Sequence, residues 1–160
     1  MAARRRKSSL WRPFLLLIAL FAIYAATMPG VVPTVGPLVA GRETVSATFV
    51  RCGSVPNRAC VHDGDTFRID GRKIRLLGID APELADPQCA AERQLAERSA
   101  RRLLVLLNEG PFDMVTDIRE DRDQYGRELK RLERDGQWIG DMLIDEGLAQ
   151  PYLGRKGDWC

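Results

Sequence analysis

The chain has 160 residues, room for one domain and little more. Lys and Arg total 24 against 22 Asp and Glu, but five of the basic residues lie in the first 34 positions, which hold no acid, so 19 basic face 22 acidic side chains in the remainder, a net of −3. That balance excludes a globally basic surface for coating nucleic acid, and the single histidine, His62, excludes His-rich zinc centres and mechanisms that need two imidazoles.

Arg4, Arg5, Arg6 and Lys7 open the chain, and no charged residue occurs from Pro13 to Gly41. Phe14 to Ala26 has the length of a signal-peptide core. The uncharged run continues to Val35, approaching the ~20 residues of a bilayer span. Ala25-Ala26-Thr27 is a poor cleavage site. Residues 1–35 are therefore read as an uncleaved membrane anchor, with a cleaved signal as the alternative. In both cases the basic start stays in the cytoplasm and the domain is exported. It is then anchored on the outer side of the cytoplasmic membrane, or secreted if the segment is cleaved. A Pro/Gly-rich stretch follows, and 36–44 is read as linker ahead of a domain over 45–160. In an oxidising compartment Cys52, Cys60, Cys89 and Cys160 are read as two disulfides. Zinc is the rival use, but no Cys-x-x-Cys pair exists.

Val45, Ala47 and Phe49 alternate with polar positions and predict a short strand. "CGSVPNRAC" reads as a loop, Val61 to Ile69 as a strand, and "DGRK" as a hairpin turn into a strand from Ile74 to Ile79. Pro82 and Pro87 keep "DAPELADP" out of a helix. "CAAERQLAERSARRLLVLLNEG" predicts a helix with Ala91, Leu95, Ser99, Leu103 and Leu106 on one stripe, stopped at Gly110. Phe112, Met114, Thr116 and Ile118 alternate as a strand. "REDRDQYGR" is a charged loop, and Glu128 to Arg134 returns as a strand that turns at Asp135-Gly136 into Trp138. Ile139 to Glu146 predicts a short helix with Gly147 after it. About five strands with a helix after the third suggest a small closed barrel with helices (α+β), and a five-stranded OB-fold is the natural candidate.

The charges near "VHDGDTFRIDGRKIRLLGIDAPE" need a purpose. On a strand, Asp63 and Asp65 would face one side. Alternation puts Arg75 and Asp80 on opposite faces, and they serve one pocket only if the strand twists, bulges or ends between them, with Gly78 as the place to bend. Asp65, Asp80 and a backbone carbonyl would make half a Ca²⁺ shell, which water and a substrate phosphate would complete. Glu83 would then reach a water beside the metal. Arg127 in "DRDQYGR" adds a second guanidinium, and two such forks with three carboxylates suit a phosphodiester. The plainer reading is that the Asp-containing turns are only turns and Arg75 a structural ion pair. Glu120, Asp121 and Arg122 read as a solvated charge run.

"DGDTFRI", "IRLLGIDAPE", "DQYGREL" and "GLAQPY" together resemble the staphylococcal nuclease, or thermonuclease-like, family over about residues 45 to 153. The resemblance implies an OB-fold with helices packed on the barrel and a Ca²⁺-dependent phosphodiesterase acting on DNA and RNA. By position it implies Asp65 and Asp80 as metal ligands, Arg75 and Arg127 as phosphate-binding arginines, and Glu83 as general base. Tyr125 and Tyr152 fall where family tyrosines border the nucleotide. Ala81 stands where the family often has Thr and would offer the metal its main-chain carbonyl. Gln124 replaces a frequent lysine. The expected partners are nucleic acid and, through the N-terminal segment, a membrane; the chain is expected to be a monomer, and no protein partner is inferable. Two rivals stay open: a catalytically idle binding module for nucleic acid or protein, and a structural envelope protein. The expected disulfides are Cys52–Cys60, closing a local loop, and Cys89–Cys160, tying the tail to the long helix. The rival is a buried Cys89 thiol and a free Cys160.

Overall fold

The computed structural model describes residues 39–53, 59–117 and 121–160. The expected anchor or signal, 1–35, lies outside them. Among the described residues no helix is long and apolar enough to cross a membrane. The strands are β1 (Val39–Val45), β2 (Val50–Arg51), β3 (Ala59–Val61), β4 (Thr66–Ile69), β5 (Arg72–Leu76), β6 (Ile79–Asp80), β7 (Phe112–Asp117), β8 (Glu128–Arg134), β9 (Gln137–Trp138) and β10 (Gln150–Pro151). Helix α1 (Ala90–Asn108) follows β6 and α2 (Ile139–Asp145) follows β9. Many of these strands are pieces of longer passes broken by bends. The main sheet therefore keeps an α+β, OB-fold-like layout with α1 inserted after the third pass.

The main sheet runs β1-β7-β8-β5-β4-β3-β2, with β9 beside β8, and β6 pairs with β10 in a separate small ladder. This path is open, so the expected closed barrel is not formed. Its first edge also begins earlier than the expected linker allows. β1 starts at Val39 and pairs antiparallel with β7, from Val39 opposite Asp117 to Val45 opposite Phe112. Polar side chains stitch it down: Arg42 bonds Asp113 (2.6 Å) and Glu133 (2.8 Å), and Thr44 bonds Asp113 (2.6 Å). The strand expected at Val45, Ala47 and Phe49 is not there. The chain leaves the ladder after Val45, and the Asn108 side chain takes the place of a strand partner. Its Oδ1 accepts the Phe49 N–H (2.8 Å) and its Nδ2 donates to the Phe49 carbonyl (3.0 Å).

The core joins both helices to the sheet. Leu103, Leu106 and Leu107 of α1 and Ile139 and Leu143 of α2 pack with Phe67, Ile74, Leu76, Met114 and Leu132. Phe49, Phe67 and Phe112 form an aromatic cluster, with ring centroids 5.6 Å apart for the first pair. The expected stripe of α1 holds at Ser99, Leu103 and Leu106 but not in its first turns, where Ala91 is exposed and Leu95 only partly buried. Glu92 and Ala96 face inward instead.

Two features bring distant residues to one place. β5 ends at Leu76, the Leu77 N–H donates to the Lys130 carbonyl (2.9 Å), and Gly78 turns the chain at φ +89° into β6. This positive φ is one that glycine adopts without strain. β6 then recruits the tail: Asp80 lies opposite Gln150, Ile79 opposite Pro151, and the Tyr152 N–H donates to the Gly78 carbonyl (2.9 Å). Cys52 is bonded to Cys60 and Cys89 to Cys160, the second closing a separation of 71 residues. A loop of that span contributes roughly 4 kcal/mol in the chain-entropy model. Cys160→Ser is therefore expected to melt several degrees below the parent under non-reducing conditions and to match it in dithiothreitol. Equal melting without reductant would show that the tail disulfide stabilises nothing.

Candidate active site

The segment Asp63-Gly64-Asp65 is a bend between β3 and β4, not part of a continuous strand, so the one-sided alternation expected for its two carboxylates does not apply. The bend closes on itself. Asp63 Oδ1 accepts the Asp65 N–H (3.3 Å), and the His62 and Asp63 N–H groups both donate to the Thr66 carbonyl (2.9 and 3.2 Å). Space decides the residue in the middle: a Cβ on Gly64 would lie 1.9 Å from Ser99 Oγ of α1 and 2.9 Å from the Ala81 Cβ. The helix and the bend approach so closely because no side chain separates them.

Asp65 and Asp80 are 3% and 1% exposed. Arg75 reaches both, with Nη1 at 2.6 Å from Asp65 Oδ2 and Nη2 at 3.5 Å from Asp80 Oδ1. The turn at Leu77-Gly78 ends the alternation that would have kept Arg75 and Asp80 apart. The other carboxylate contacts come from both ends of the domain. Asp65 accepts from Thr66 Oγ1 (2.8 Å) and the Ala81 N–H (3.2 Å). Asp80 Oδ2 accepts from the Gly157 N–H (2.9 Å) and Gln150 Nε2 (3.5 Å).

The local charge is not balanced. Burial first, and then the Asp63 carboxylate, push the Asp65 carboxyl up to about 7, against the pull of Arg75. For Asp63 burial is the largest influence and acts upward, yet hydrogen bonds first with His62 and then with the Asp65 side chain hold it below the usual carboxylate range. Carboxylates that share one guanidinium and keep excess negative charge suit a hard cation. Among the described residues no three or more His, Cys, Asp or Glu side chains are grouped to hold a metal. A cation at Asp65 and Asp80 would thus need backbone oxygen, water or substrate to complete its shell. Those donors fit an open oxygen site and not a closed structural one.

Above this cluster lies a groove of about 730 Å³, lined among others by Arg75, Glu83, Tyr125, Arg127, Tyr152 and Lys156. Asp65, Asp80 and Ala81 are not in its lining; they sit behind Arg75. Glu83 presents its carboxylate to the Lys156 ammonium. Arg127 is held by Asp123 (2.6 Å) and lies 5.5 Å from the Tyr125 ring, while Arg75 lies 6.0 Å from the Tyr152 ring. The structure thus brings Asp65, Arg75, Asp80 and Ala81 into direct contact and sets Glu83, Arg127 and both tyrosines on one groove.

Sequence reasoning passed over several participants. Asp123 shapes the "DQYGR" loop, its Oδ1 accepting the Tyr125 and Arg127 N–H groups at 2.9 Å each. Its signal was the four-residue spacing from Arg127. Arg122 is not merely solvated: it pairs with Glu128 (3.2 Å) and lines the groove. Glu92, three residues into the segment that starts at Cys89, had a helix-capping signal. Lys156 and Gly157 carried no signal, and Gln150 lay in the "GLAQPY" motif without a role, because their partners lie about 70 residues away in the chain.

Residues 73–157 match the family model described as staphylococcal nuclease homologue. The chain is 34% identical over 92 residues to endonuclease YncB of Bacillus subtilis (strain 168), covering 55% of this chain and 43% of that protein. It is equally similar, 34% over 92 residues, to the SPbeta prophage-derived endonuclease YokF of the same organism, covering 31% of that protein. The thermonuclease of Staphylococcus intermedius is 31% identical over 102 residues, 59% of this chain and 55% of that protein. The chain thus spans about half or less of the length of these relatives.

The raised Asp65 carboxyl has a pH signature. An unfolded aspartate titrates near 3.9. Between about 4 and 7 the folded state binds the extra proton, so stability is present below 4 and is lost as the pH rises through 7. In chelator, urea unfolding at pH 8 should give a stability on the order of a few kcal/mol lower than at pH 5. Asp65→Asn should remove most of that difference; an unchanged difference in the variant would show that the cost lies elsewhere.

Proposed function

The chain belongs to the staphylococcal nuclease family, and from that membership we propose that it is a calcium-dependent nuclease that hydrolyses phosphodiester bonds of DNA and/or RNA. The observation that carries the proposal is the buried Asp65–Arg75–Asp80 cluster beneath an open groove, with Glu83 and Arg127 on the groove wall. In this reading Asp65, Asp80 and the Ala81 carbonyl hold Ca²⁺, which supplies positive charge against the phosphoryl oxygens when bound. Arg75 and Arg127 present planar N–H forks to two of those oxygens. Arg127 is already aligned by Asp123 through its Nε at 2.6 Å, so little of its side-chain freedom is left to lose when a phosphate arrives, whereas Arg75, held by Asp65 and Asp80, must exchange a carboxylate contact for the phosphate. Glu83 takes the proton of the attacking water, after Lys156 gives up its hold on the carboxylate. Tyr125 and Tyr152, both exposed, offer faces for stacking bases along a single strand. Charge neutralisation supplies the larger part of the acceleration, since general-base help is about 10²–10⁴-fold.

Export of the domain is proposed on residues 1–35 alone, and recovery of the native protein from the cytosol would contradict it. A second reading, the idle binding module, draws support from the Lys156–Glu83 pair, which occupies the carboxylate that the reaction needs.

Cleavage of single-stranded DNA by the purified chain, with Ca²⁺ and with a chelator, separates the two readings. We expect cleavage only with Ca²⁺. Arg75→Lys and Arg127→Lys keep the charge but lose the fork, and each should lower kcat at least about tenfold while KM changes by only a few-fold. Binding without cleavage in the parent chain would favour the module, and parent-like kcat in either variant would remove that fork from the chemistry.

A further inference from the structure

We propose that Glu92 is a positioning residue for Glu83, an inference that rests on the nuclease reading above. Glu92 is an acid in the first turn of α1, yet it is only 3% exposed. Burying a carboxylate is costly unless hydrogen bonds and local positive charge compensate it. Ordinary capping does not explain its contacts. A capping side chain serves the helix's own N–H groups, and here the cap is Cys89, whose Sγ accepts the Glu92 N–H at 3.4 Å. The Glu92 carboxylate is directed instead at the preceding loop. Its Oε1 accepts the N–H of Glu83 itself (3.2 Å) and its Oε2 accepts the N–H of Gln88 (2.6 Å).

Those two bonds staple both ends of the segment 83–88, which has no helix or strand to hold it and contains Pro87, which has no N–H to donate. The backbone of Glu83 is thereby tied to the rigid start of a 19-residue helix. Its side chain remains free to meet Lys156 and the groove. The positive end of the helix makes the N-terminal turn a favourable place for the buried charge. Both oxygens are needed, because each takes a different loop N–H. Glutamine at this position keeps one acceptor and turns an NH₂ donor towards the other N–H, so one staple is lost with little change in volume.

The test uses the full chain, with kcat and KM measured on single-stranded DNA in Ca²⁺ for the parent, Glu92→Gln, Glu83→Gln and the double variant, each below its melting temperature. Glu92→Gln should lower kcat about 10- to 100-fold with KM within about threefold. In the Glu83→Gln background the same change should cost less than about threefold, because the group it positions is already gone. Equal losses in both backgrounds, or no loss in the parent, would overturn the assignment. Amide hydrogen exchange at Glu83 and Gln88, which needs no catalysis, should accelerate at least about tenfold in Glu92→Gln. If the parent cleaves nothing, the nuclease reading has failed, and exchange alone still decides whether Glu92 holds the loop: unchanged exchange rejects it. Glu92→Asp, too short to reach both amides, replaces the glutamine variant if that one does not fold.

Discussion

A single guanidinium, that of Arg75, stands between two carboxylates that water scarcely reaches, and much of the local architecture keeps those three groups together. Leaving either carboxylate buried without its partner would cost more than the pair gains, since desolvation of an ion amounts to several kcal/mol. The backbone complies at three places. It bends at 63–65 to aim Asp65 inward, turns at Leu77-Gly78 to bring Asp80 round to Arg75, and lays the tail alongside β6 so that Gln150 and Gly157 satisfy Asp80. None of these contacts is a source of stability in itself. The apolar cluster of α1, α2 and the sheet supplies that, and the charged site draws on it.

What could be read in the sequence was what is local. The hairpin between β4 and β5 was legible because Asp70-Gly71 adopts positive φ at both positions, as such a turn requires. The long helix was legible from its length and apolar stripe. β1 was not. "VAGRET" reads as linker, because the strand it belongs to is held by pairing with β7 and by Arg42, whose partners Asp113 and Glu133 are 71 and 91 residues away. The site divides in the same way. Spacing alone left Asp65, Arg75 and Asp80 between a metal site and ordinary turns with an ion pair, and only the combined motifs singled out the set. The approach of Arg75 to Asp80 depends on a strand that ends at Leu76 and not at Ile79, which is a tertiary outcome. Glu92 carried a capping signal, but its reach to the Glu83 N–H, nine residues back, depends on the path of the loop and is not local.

The tail and the long helix act on the same loop from opposite sides. Cys89 is bonded to Cys160 and also accepts the first-turn N–H of Glu92. Glu92 holds the main chain of Glu83, and Lys156, four residues before Cys160, meets its side chain. The carboxylate proposed as general base is thus fixed by two elements that are themselves covalently joined. Asp80, proposed as a metal ligand, is bound into the tail as well, through Gln150 and Gly157.

The buried pair of carboxylates, sharing one guanidinium, is proposed to lack a positive charge that a calcium ion completes. Calorimetric titration of Ca²⁺ into the metal-free full chain at pH 8 tests it most directly. One ion per chain should bind to the parent, and Asp65→Asn and Asp80→Asn should each weaken that binding at least about tenfold through loss of a charged oxygen ligand. No binding by the parent, or parent-like affinity in both variants, would contradict the claim.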